Sequence, residues 1–505
     1  MSGALRWCVA KCKKPNASGG DGPSPLQIDR LLIRPSSSVT VTSRMTALEL
    51  LVTRLRHLGV TLAVSLAVLV PAAATSASTP TASLRARPAA AGPAAVWEAS
   101  LEGVHGTSPN VTVREIARVS VDSSRIRVRL GNPFGATPLA VRDAWIGRPI
   151  APGLAQLVSG SNRALTFGGA RQLTLQPGES RLSDAVAMTV PAQQDVAVSL
   201  YAPNSPVNDH TFPPFQFDPP ASYINTGGDT AADTSNASFP TTPVISGNTP
   251  SKASGYHPGQ TWWMDLVVAD RPAARGTLVT LGDSITDGYH ADGPPGQRWT
   301  DLLAYRLDAV PAQDRLAVAN AGISGNTVSN QPNPYDRTGQ CCGPPALKRL
   351  QRDVLSVPGV SAVFLLEGTN DIGGGTNAAS ASASQVINAM TRIVSRAHDK
   401  HLPVIGATIL PMCERAGSAQ EKTRLAVNQW LRSSGTFDAV VDFDAVLRNP
   451  SNPTEMIPDL RHDCYHPNAA GDTLLTQAIP LWLFGVPVSG HTGGIHPGTH
   501  PVVTG

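Results

Sequence analysis

Hydrophobic and polar residues alternate with period two along the first folded part of the chain. The clearest runs cover residues 111–119, 125–130, 196–201 and 262–268. Period two with many β-branched residues is typical of strands that bury one face. Turn clusters such as Gly131-Asn132-Pro133 separate the runs. The pattern therefore predicts an all-β domain, a sandwich of jelly-roll character, over residues 97–272.

A different pattern begins near residue 273, where short apolar runs alternate with helical periodicity up to residue 486. The predicted strands are 277–281, 316–319, 362–366, 403–409 and 439–441, and the predicted helices are 299–309, 346–355, 384–398, 420–431 and 468–483. Alternation of this kind predicts an α/β domain, a parallel sheet between two layers of helices. Functional sites in such sheets lie beyond the carboxyl ends of the strands.

The N-terminal part of the chain has the layout of a secretory signal. Arg54 and Arg56 precede an apolar run over residues 58–70, and small residues follow to position 77. The run is shorter than the ~20 residues that cross a bilayer, so we expect export rather than a stable membrane anchor. We assign residues 1–77 to a leader and signal peptide, with Met45 as an alternative start. Residues 78–96 are then a flexible lead-in and residues 487–505 a flexible tail.

Charge gives little information about partners. The chain carries 40 Lys and Arg against 37 Asp and Glu, so nothing in the balance favours a nucleic-acid partner. The 45 glycines and 44 prolines indicate long loops and many turns. The sequence leaves the oligomeric state open.

Four cysteines remain after the leader: Cys341, Cys342, Cys413 and Cys464. An even number in an oxidising compartment favours disulfides, and all three full pairings are open. A bridge between Cys413 and Cys464 would clamp two segments near the predicted site. A zinc site is the weaker interpretation, because no CxxC spacing supports it.

Candidate chemistry is concentrated in four segments that follow predicted strands or precede the last predicted helix. Ser284 follows the first strand in Gly282-Asp283-Ser284, and Gly325 and Asn370 lie in the loops after the second and third strands. Asp463 and His466 stand just before the last helix. Taken alone, a serine at a strand-to-helix turn would be a capping residue. Together, the five residues offer a nucleophile, a base with its carboxylate, and hydrogen-bond donors.

The four segments, in this order across residues 276–486, resemble the GDSL, or SGNH, hydrolase family. The resemblance implies a flavodoxin-like fold with Ser284 as nucleophile, His466 as base and Asp463 as the acid that orients it. It assigns the oxyanion donors to the backbone of Ser284 and Gly325 and to the side chain of Asn370. Arg298-Trp299 and the β-rich region look like those of an actinobacterial-type branch of xylan-associated aryl and acetyl esterases.

The expected function is a secreted serine esterase that hydrolyses acylated carbohydrates or short-chain and aryl esters through an acyl-enzyme. It needs no cofactor and no metal, and its partner is the ester substrate, with an acylated polysaccharide as one candidate. Two alternatives stay open. One is a lipase or phospholipid acyl hydrolase, and the other is a glycan-binding protein that uses its β-domain and has an inert hydrolase fold.

Other polar and aromatic residues receive weaker interpretations. Trp262 and Trp263 are expected in the core rather than in a sugar platform. Asp371 is expected to fix the Asn370 loop through backbone hydrogen bonds. Asp287 and His290 either line the pocket or cap the turn. The histidines of the tail are expected to be disordered rather than metal-binding; they are His491, His496 and His500.

Overall fold

The computed structural model describes residues 92–211, 222–239, 260–270, 272–289, 296–329, 342–373, 380–486 and 501–503. These ranges belong to one compact unit. Several predictions lie outside the described residues: the leader with its signal peptide and Met45, as well as Cys341, His290 and the three tail histidines. Within the described ranges, no helix combines the length and hydropathy that crossing a bilayer requires.

The described residues between 92 and 270, here named the β-region, contain fifteen strands. They are β1 (Ala94–Glu98), β2 (Gly103–Thr107), β3 (Thr112–Arg118), β4 (Ser123–Gly131), β5 (Leu139–Val141), β6 (Asp143–Gly147), β7 (Arg163–Ala164), β8 (Leu173–Leu175), β9 (Ser180–Leu182), β10 (Val186–Val190), β11 (Asp195–Tyr201), β12 (Pro206–Thr211), β13 (Ser222–Asn225), β14 (Gln260–Trp262) and β15 (Met264–Ala269). The N-terminal region is therefore all-β, as its period-two runs predict.

The strands of the β-region pair in antiparallel sheets. One sheet has the order β1-β15-β4-β10 with β9 also on β4, a second has the order β13-β3-β11-β6-β7, and a third has the order β14-β12-β2. Alternation explains the burial along β4, where Ile126, Val128 and Leu130 lie in the core and Arg125 is exposed. Strand β1 begins at Ala94 and is fully buried, so the prediction of a flexible lead-in is wrong for residues 94–96.

The α/β region is the part of residues 272–503 that the structure describes, and it contains six further strands and eight α-helices. The strands are β16 (Thr277–Gly282), β17 (Ala317–Gly322), β18 (Val360–Leu366), β19 (Val404–Ala407), β20 (Ala439–Val441) and β21 (Val502–Val503). The helices are α1 (Ser284–Asp287), α2 (Trp299–Asp308), α3 (Ala346–Leu350), α4 (Thr369–Ile372), α5 (Ala383–His398), α6 (Ala419–Ser433), α7 (Phe443–Leu447) and α8 (Ala469–Gln477).

The six strands form one parallel sheet in the order β17-β16-β18-β19-β20-β21. Alternate residues of β16 enter separate hydrophobic clusters: Val279 packs with α3, α5 and α6, and Leu278 packs with α2, α7 and α8. The chain continues from β16 to β17 on one side and then to β18 on the other, which places a topological switch point between β16 and β18. The Ser284, Gly325 and Asn370 segments follow these three strands.

Two predicted helices and the tail differ from expectation. The helix predicted over 346–355 is α3 followed by a π-helical turn over Gln351–Leu355. The helix predicted over 468–483 ends at Gln477, because Pro480 has no N–H to continue it, and a 3₁₀ turn over Leu481–Phe484 follows. Val502 and Val503 pair with β20, so the prediction of a flexible tail is wrong for these residues.

The two regions share hydrogen bonds and a common core. The backbone N–H of Ala95 donates to the Pro358 carbonyl at 2.9 Å, and the Thr277 hydroxyl donates to the Ala95 carbonyl at 2.9 Å. Leu266 of the β-region lies in the same hydrophobic cluster as Val279 of the sheet. Contacts this extensive place the β-region against the α/β region as a packed partner.

Candidate active site

Ser284 lies at the turn between β16 and α1, where the polypeptide changes direction within two residues. Asp283 is the N-cap of α1, and its Oδ1 accepts the N–H of Ile285 at 3.0 Å. Gly282 has to be a glycine, since a Cβ there would overlap the side chain of Thr286 and the carbonyl of Leu366. The turn is therefore tightly fixed. It leaves the side chain of Ser284 at the carboxyl end of the sheet.

The hydroxyl of Ser284 is hydrogen-bonded to His466, which is 182 residues away in the sequence. The distance from Ser284 Oγ to His466 Nε2 is 2.8 Å. His466 Nδ1 lies 3.0 Å from both carboxylate oxygens of Asp463. Because an ionised carboxylate can only accept, Nδ1 carries the hydrogen and a neutral ring presents the lone pair of Nε2 to the serine. The three residues therefore form one hydrogen-bonded chain.

Asp463 is held by the turn that leads to His466. Its Oδ1 accepts the backbone N–H groups of Tyr465 and His466, both at 2.8 Å. Burial alone would raise the pKa of the Asp463 carboxyl. The hydrogen bond and charge of His466, together with the two backbone donors, lower the pKa well below its ordinary value. The carboxyl is thus ionised beside the imidazole at neutral pH.

Gly325 occupies a β-turn directly after β17. The N–H of Asn326 donates to the carbonyl of Ile323 at 3.0 Å, and Gly325 has φ +79°. A positive φ at the third turn position, with none at the second, is the signature of a type II turn and favours glycine there. The second position is Ser324, whose Oγ donates to Asp287 Oδ2 at 2.6 Å. The turn is thereby tied to the end of α1.

Asn370 lies in α4, immediately after β18. Its Nδ2 donates to the backbone carbonyl of Asn326 at 2.8 Å, which links it to the Gly325 turn. The adjacent Asp371 accepts the N–H groups of Val328 and Ser329 at 2.8 and 3.0 Å. Asp371 therefore ties the loop after β17 to α4 through backbone hydrogen bonds. The site residues of the second and third segments are joined in this way.

Buried acidic groups lie behind the nucleophile, and sequence reasoning did not find them as a set. Asp283 and Glu367 are fully buried. Burial raises the pKa of Asp283 to about 6, and burial followed by the nearby Asp283 charge raises the pKa of Glu367 well above its ordinary value. The Arg349 guanidinium lies 3.7 Å from Glu367 Oε1 and is itself fully buried. No sequence motif marks Arg349, because most of its partners are backbone carbonyls and residues distant in the chain.

A disulfide joins Cys413 to Cys464, the residue that follows Asp463. The Cα atoms are 5.2 Å apart, and Arg461 Nη1 donates to Cys413 Sγ at 2.8 Å. The bond links the loop after β19 to the turn that carries Asp463 and His466. This is the clamp that the sequence analysis considered. Cys342 is also disulfide-bonded.

Two aromatic rings lie beside the base. The ring centroid of Tyr289 is 4.5 Å from that of His466, and the Tyr465 ring is 6.4 Å from it. By contrast, Trp262 and Trp263 are buried in the core of the β-region, as expected. The aromatic groups near the catalytic chain are therefore the tyrosines.

Residues 280–474 match the model of the GDSL-like lipase/acylhydrolase family. The chain contains a GDSL-like lipase/acylhydrolase domain. This segment spans the serine turn, the Gly325 turn, α4 and the turn that carries Asp463 and His466. No curated protein matches the chain.

Several solved structures are similar to parts of this chain. One is a member of the lipolytic G-D-S-L family from Veillonella parvula, 20% identical, covering 40% of this chain and 94% of that one, with a TM-score of 0.28. A family two carbohydrate esterase from Clostridium thermocellum, solved with cellohexaose, is 12% identical over 77% of this chain and 92% of its own, with a TM-score of 0.29. A carbohydrate esterase family 2 enzyme with a carbohydrate-binding domain, from Myceliophthora fergusii, is 15% identical over 74% and 93%, with a TM-score of 0.31.

Acidic, histidine and cysteine side chains of this GDSL-like domain do not gather into a metal site within the described ranges. The chemistry that the site offers is that of the hydrogen-bonded chain of Ser284, His466 and Asp463. It pairs a hydroxyl with a base and the base with a carboxylate.

Proposed function

We propose that the protein is a serine esterase that hydrolyses carboxylic esters through an acyl-enzyme on Ser284. The 2.8 Å contact between Ser284 Oγ and His466 Nε2, with Asp463 on the other ring nitrogen, carries this proposal. A serine hydroxyl is a weak nucleophile until a neighbouring base takes its proton. His466 is placed to take it.

The proposed reaction has two halves. Ser284 Oγ attacks the ester carbonyl carbon while its proton passes to His466 Nε2. The tetrahedral intermediate collapses, the carbon–oxygen bond to the alcohol breaks, and His466 returns the proton to the leaving alcohol. In the second half, His466 takes a proton from water, the hydroxide attacks the acyl carbon, and Ser284 leaves with that proton. The products are an alcohol and a carboxylic acid.

Asp463 supports the base in both halves. Its carboxylate fixes the ring of His466 with Nδ1 protonated and stabilises the imidazolium that forms when Nε2 accepts a proton. The lowered pKa of Asp463 supports this role, because the carboxyl stays ionised at neutral pH. Asp463 does not itself exchange a proton with the substrate.

Three N–H groups are proposed to bind the oxyanion. They are the backbone N–H of Ser284 at the start of α1, the backbone N–H of Gly325 in its type II turn, and Asn370 Nδ2. Donors aimed at the oxygen that gains charge stabilise the transition state more than the ground state. The hydrogen bond from Asn370 Nδ2 to the Asn326 carbonyl holds the Asn370 donor next to the turn that carries the Gly325 donor.

The proposed substrates are acylated carbohydrates or short-chain and aryl esters that the enzyme meets outside the cell. Export is supported by the signal layout of residues 54–77 and by the Cys413–Cys464 disulfide, which suits an oxidising compartment. The tyrosines beside His466 give the site apolar surface for either part of an ester.

A direct test compares the wild type with Ser284→Ala on acetylated xylan, p-nitrophenyl esters of graded acyl length, and phospholipid. Ser284→Ala should lose activity by about a million-fold while keeping the melting temperature, since the serine acts as a unit with its base. Ser361→Ala is a matched control, because its hydroxyl donates to the Thr277 carbonyl near the amino end of the sheet. That variant should retain full activity.

Ester hydrolysis that survives in folded Ser284→Ala would contradict the proposed nucleophile. Turnover of phospholipid alone would contradict the proposed substrate class and favour a phospholipid acyl hydrolase. A wild type that hydrolyses none of the esters would contradict the proposed function as a whole.

A further inference from the structure

His210 of the β-region reaches across to the α/β region and meets the helix that carries the nucleophile. It lies on β12 and is 1% exposed. Its Nε2 is 3.4 Å from Oδ1 of Asp287, the last residue of α1. The other residues described for the site all belong to the α/β region. A histidine from the β-region thus contacts α1 at Asp287, three residues after Ser284.

The hydrogen bonds of His210 show which atoms carry hydrogen. Nδ1 is 2.9 Å from the carbonyl oxygen of Ser100, and a carbonyl can only accept, so Nδ1 is a donor. A neutral ring would therefore turn the lone pair of Nε2 toward the carboxylate of Asp287. The imidazolium has a hydrogen on both nitrogens and suits both neighbours.

The charges around His210 favour the same protonated form. Burial would lower the pKa of the imidazole, but the charge and hydrogen bond of Asp287, then Glu102 and the Ser100 carbonyl, raise it. Asp209, the preceding residue of β12, also lies within electrostatic range. The ion pair with Asp287 is closed off from solvent on both sides.

Asp287 connects His210 to the Gly325 turn, which carries one of the proposed oxyanion donors. Its Oδ1 faces His210, and its Oδ2 accepts the hydroxyl of Ser324 at 2.6 Å. The backbone of Asp287 also packs so closely on Gly322 that a Cβ on the glycine would overlap it. Arg298 adds a hydrogen bond of 3.3 Å to the Asp287 carbonyl. The carboxylate is therefore fixed in place, with one oxygen for each partner.

The hydrogen bond to Asp287 acts at Ser324, the turn position where it most restrains the N–H of Gly325. In the type II turn 323–326 the central peptide joins Ser324 to Gly325, and its N–H belongs to Gly325. Rotation of that peptide converts a type II turn toward type I and points the same N–H in a different direction. A hydroxyl held by Asp287 restrains Ser324 and with it the peptide that carries the proposed oxyanion donor.

We propose that His210 is a positioning residue of the active site, which holds the Gly325 turn through Asp287 and Ser324. This inference rests on the proposed function, because it needs Gly325 as an oxyanion donor. It gives the β-region a part in the active site: β12 supplies the cation that faces Asp287 Oδ1 and orients this carboxylate. The esterase domain expressed without the β-region would lack this constraint.

The test uses the full-length protein and four variants assayed on a p-nitrophenyl ester. His210→Gln removes the cation, and Ser324→Ala removes the hydroxyl at the other end of the same link. Each should lower kcat by about 10- to 100-fold, the size expected for a catalytic group that is slightly misplaced, with KM nearly unchanged. Ser324→Thr keeps a hydroxyl and should restore most of kcat. His105→Gln removes another histidine–aspartate pair of the β-region, with Asp209, and should keep the wild-type kcat.

A double-mutant cycle then separates positioning from a general loss of stability. If His210 acts through Ser324, the double variant His210→Gln/Ser324→Ala should lose little more than the larger single loss. Melting temperatures identify any variant that fails to fold; in that event Ser324→Ala and Ser324→Thr, which change one small side chain, decide the question. Additive losses, a change in KM alone, or wild-type kcat in folded His210→Gln would overturn the inference.

Failure of the proposed function gives a different result. Ser284→Ala is assayed in the same series, and a wild type without Ser284-dependent turnover removes the esterase proposal and this inference together. An active wild type whose His210 and Ser324 variants are equally active removes this inference alone.

Discussion

The guanidinium of Arg349 donates a hydrogen bond of 3.0 Å to the carbonyl oxygen of Gly282, two residues before Ser284. The same guanidinium donates to the carbonyl of Ala321 at 2.7 Å and to Asn326 Oδ1 at 3.0 Å. One buried side chain therefore joins the loops after β16 and β17. The backbone carbonyl of Asn326 in turn accepts from Asn370 Nδ2, so the segment after β18 belongs to the same network.

Replacing Arg349 with methionine should destabilise the protein by about 3–5 kcal/mol. The change removes the cation that lies 3.7 Å from the buried Glu367 and leaves the buried carbonyls of Gly282 and Ala321 without its hydrogen bonds, whereas Asp353 keeps Arg352 as a partner. Urea unfolding of the folded variant measures the loss. Arg396→Met is a suitable control, since Arg396 is partly exposed and makes a 3.2 Å hydrogen bond to Leu347 of the same helix α3. Equal stabilities of the two variants would contradict the role given to Arg349.

The disulfide should stabilise the turn that carries the base. Cys413 and Cys464 are 51 residues apart, and a crosslink over a loop of this length stabilises a protein by about 2–4 kcal/mol. Cys413→Ser/Cys464→Ser should melt several degrees lower and lose activity below the global melting temperature. Heating with an ester assay in parallel measures both. Because Cys342 is also disulfide-bonded, adding a reductant to the double variant shows how much sensitivity belongs to that other bond.

Asp283 should make the protein less stable as the pH rises from about 4 to 6. Burial raises the pKa of this carboxyl from 3.8 to about 6, although the Ile285 N–H opposes the shift. Between these two values the folded state holds a proton that the unfolded chain has released. The stabilisation is therefore complete below the unfolded pKa and is lost as the pH passes the folded pKa, a change of at most about 3 kcal/mol.

The matched variant for this pH effect is Asp283→Asn, whose amide oxygen can still cap α1 but does not ionise. Urea unfolding of both proteins at pH 4, 5, 6 and 7 gives the difference that belongs to Asp283 and its coupling with Glu367. The stability of the wild type relative to Asp283→Asn should fall across this range. A constant difference would show that the carboxyl keeps its ordinary pKa in the folded state.

The sequence predicts the parallel strands well because each is a short, continuous apolar run between loops. Strand β20 is found at the predicted residues, and β16 extends one residue further, to Gly282. Short-range patterns fail where tertiary pairing decides, as in β21, a two-residue strand that exists through its bonds to β20. The β-region begins at Ala94 rather than at the predicted residue 97 for the same reason, because Ala94 pairs with Ala269.

The site residues also divide into those that the sequence pattern reveals and those that only the fold brings together. Ser284, Asp463 and His466 stand in motifs that the sequence displays, and the structure brings them into one hydrogen-bonded chain. His210 and Arg349 carry no motif. Most of their partners are distant in the sequence and come near only in the folded chain, and His210 belongs to a region whose pattern predicts strands and no chemistry.

Asn370 provides the sharpest test of the oxyanion assignment. Asn370→Ala removes Nδ2, which carries two hydrogens, one of them bonded to the Asn326 carbonyl at 2.8 Å. Loss of one oxyanion donor lowers kcat by about 100- to 1,000-fold, whereas KM should change little because the ground-state carbonyl carries less charge. Steady-state kinetics on a p-nitrophenyl ester measure both parameters.

The control for Asn370 is Asn428→Ala, which removes an equally buried asparagine whose amide bonds to the backbone of Ile409. This variant should lose stability through the unpaired Ile409 N–H, whereas the Ile409 carbonyl keeps its hydrogen bond from Arg424, and kcat should stay near the wild-type value below the melting temperature. Comparing the two separates catalysis from folding. A kcat that falls equally in both variants would mean that Asn370 acts through the structure of its loop, and the oxyanion would then depend on the backbone of Ser284 and Gly325.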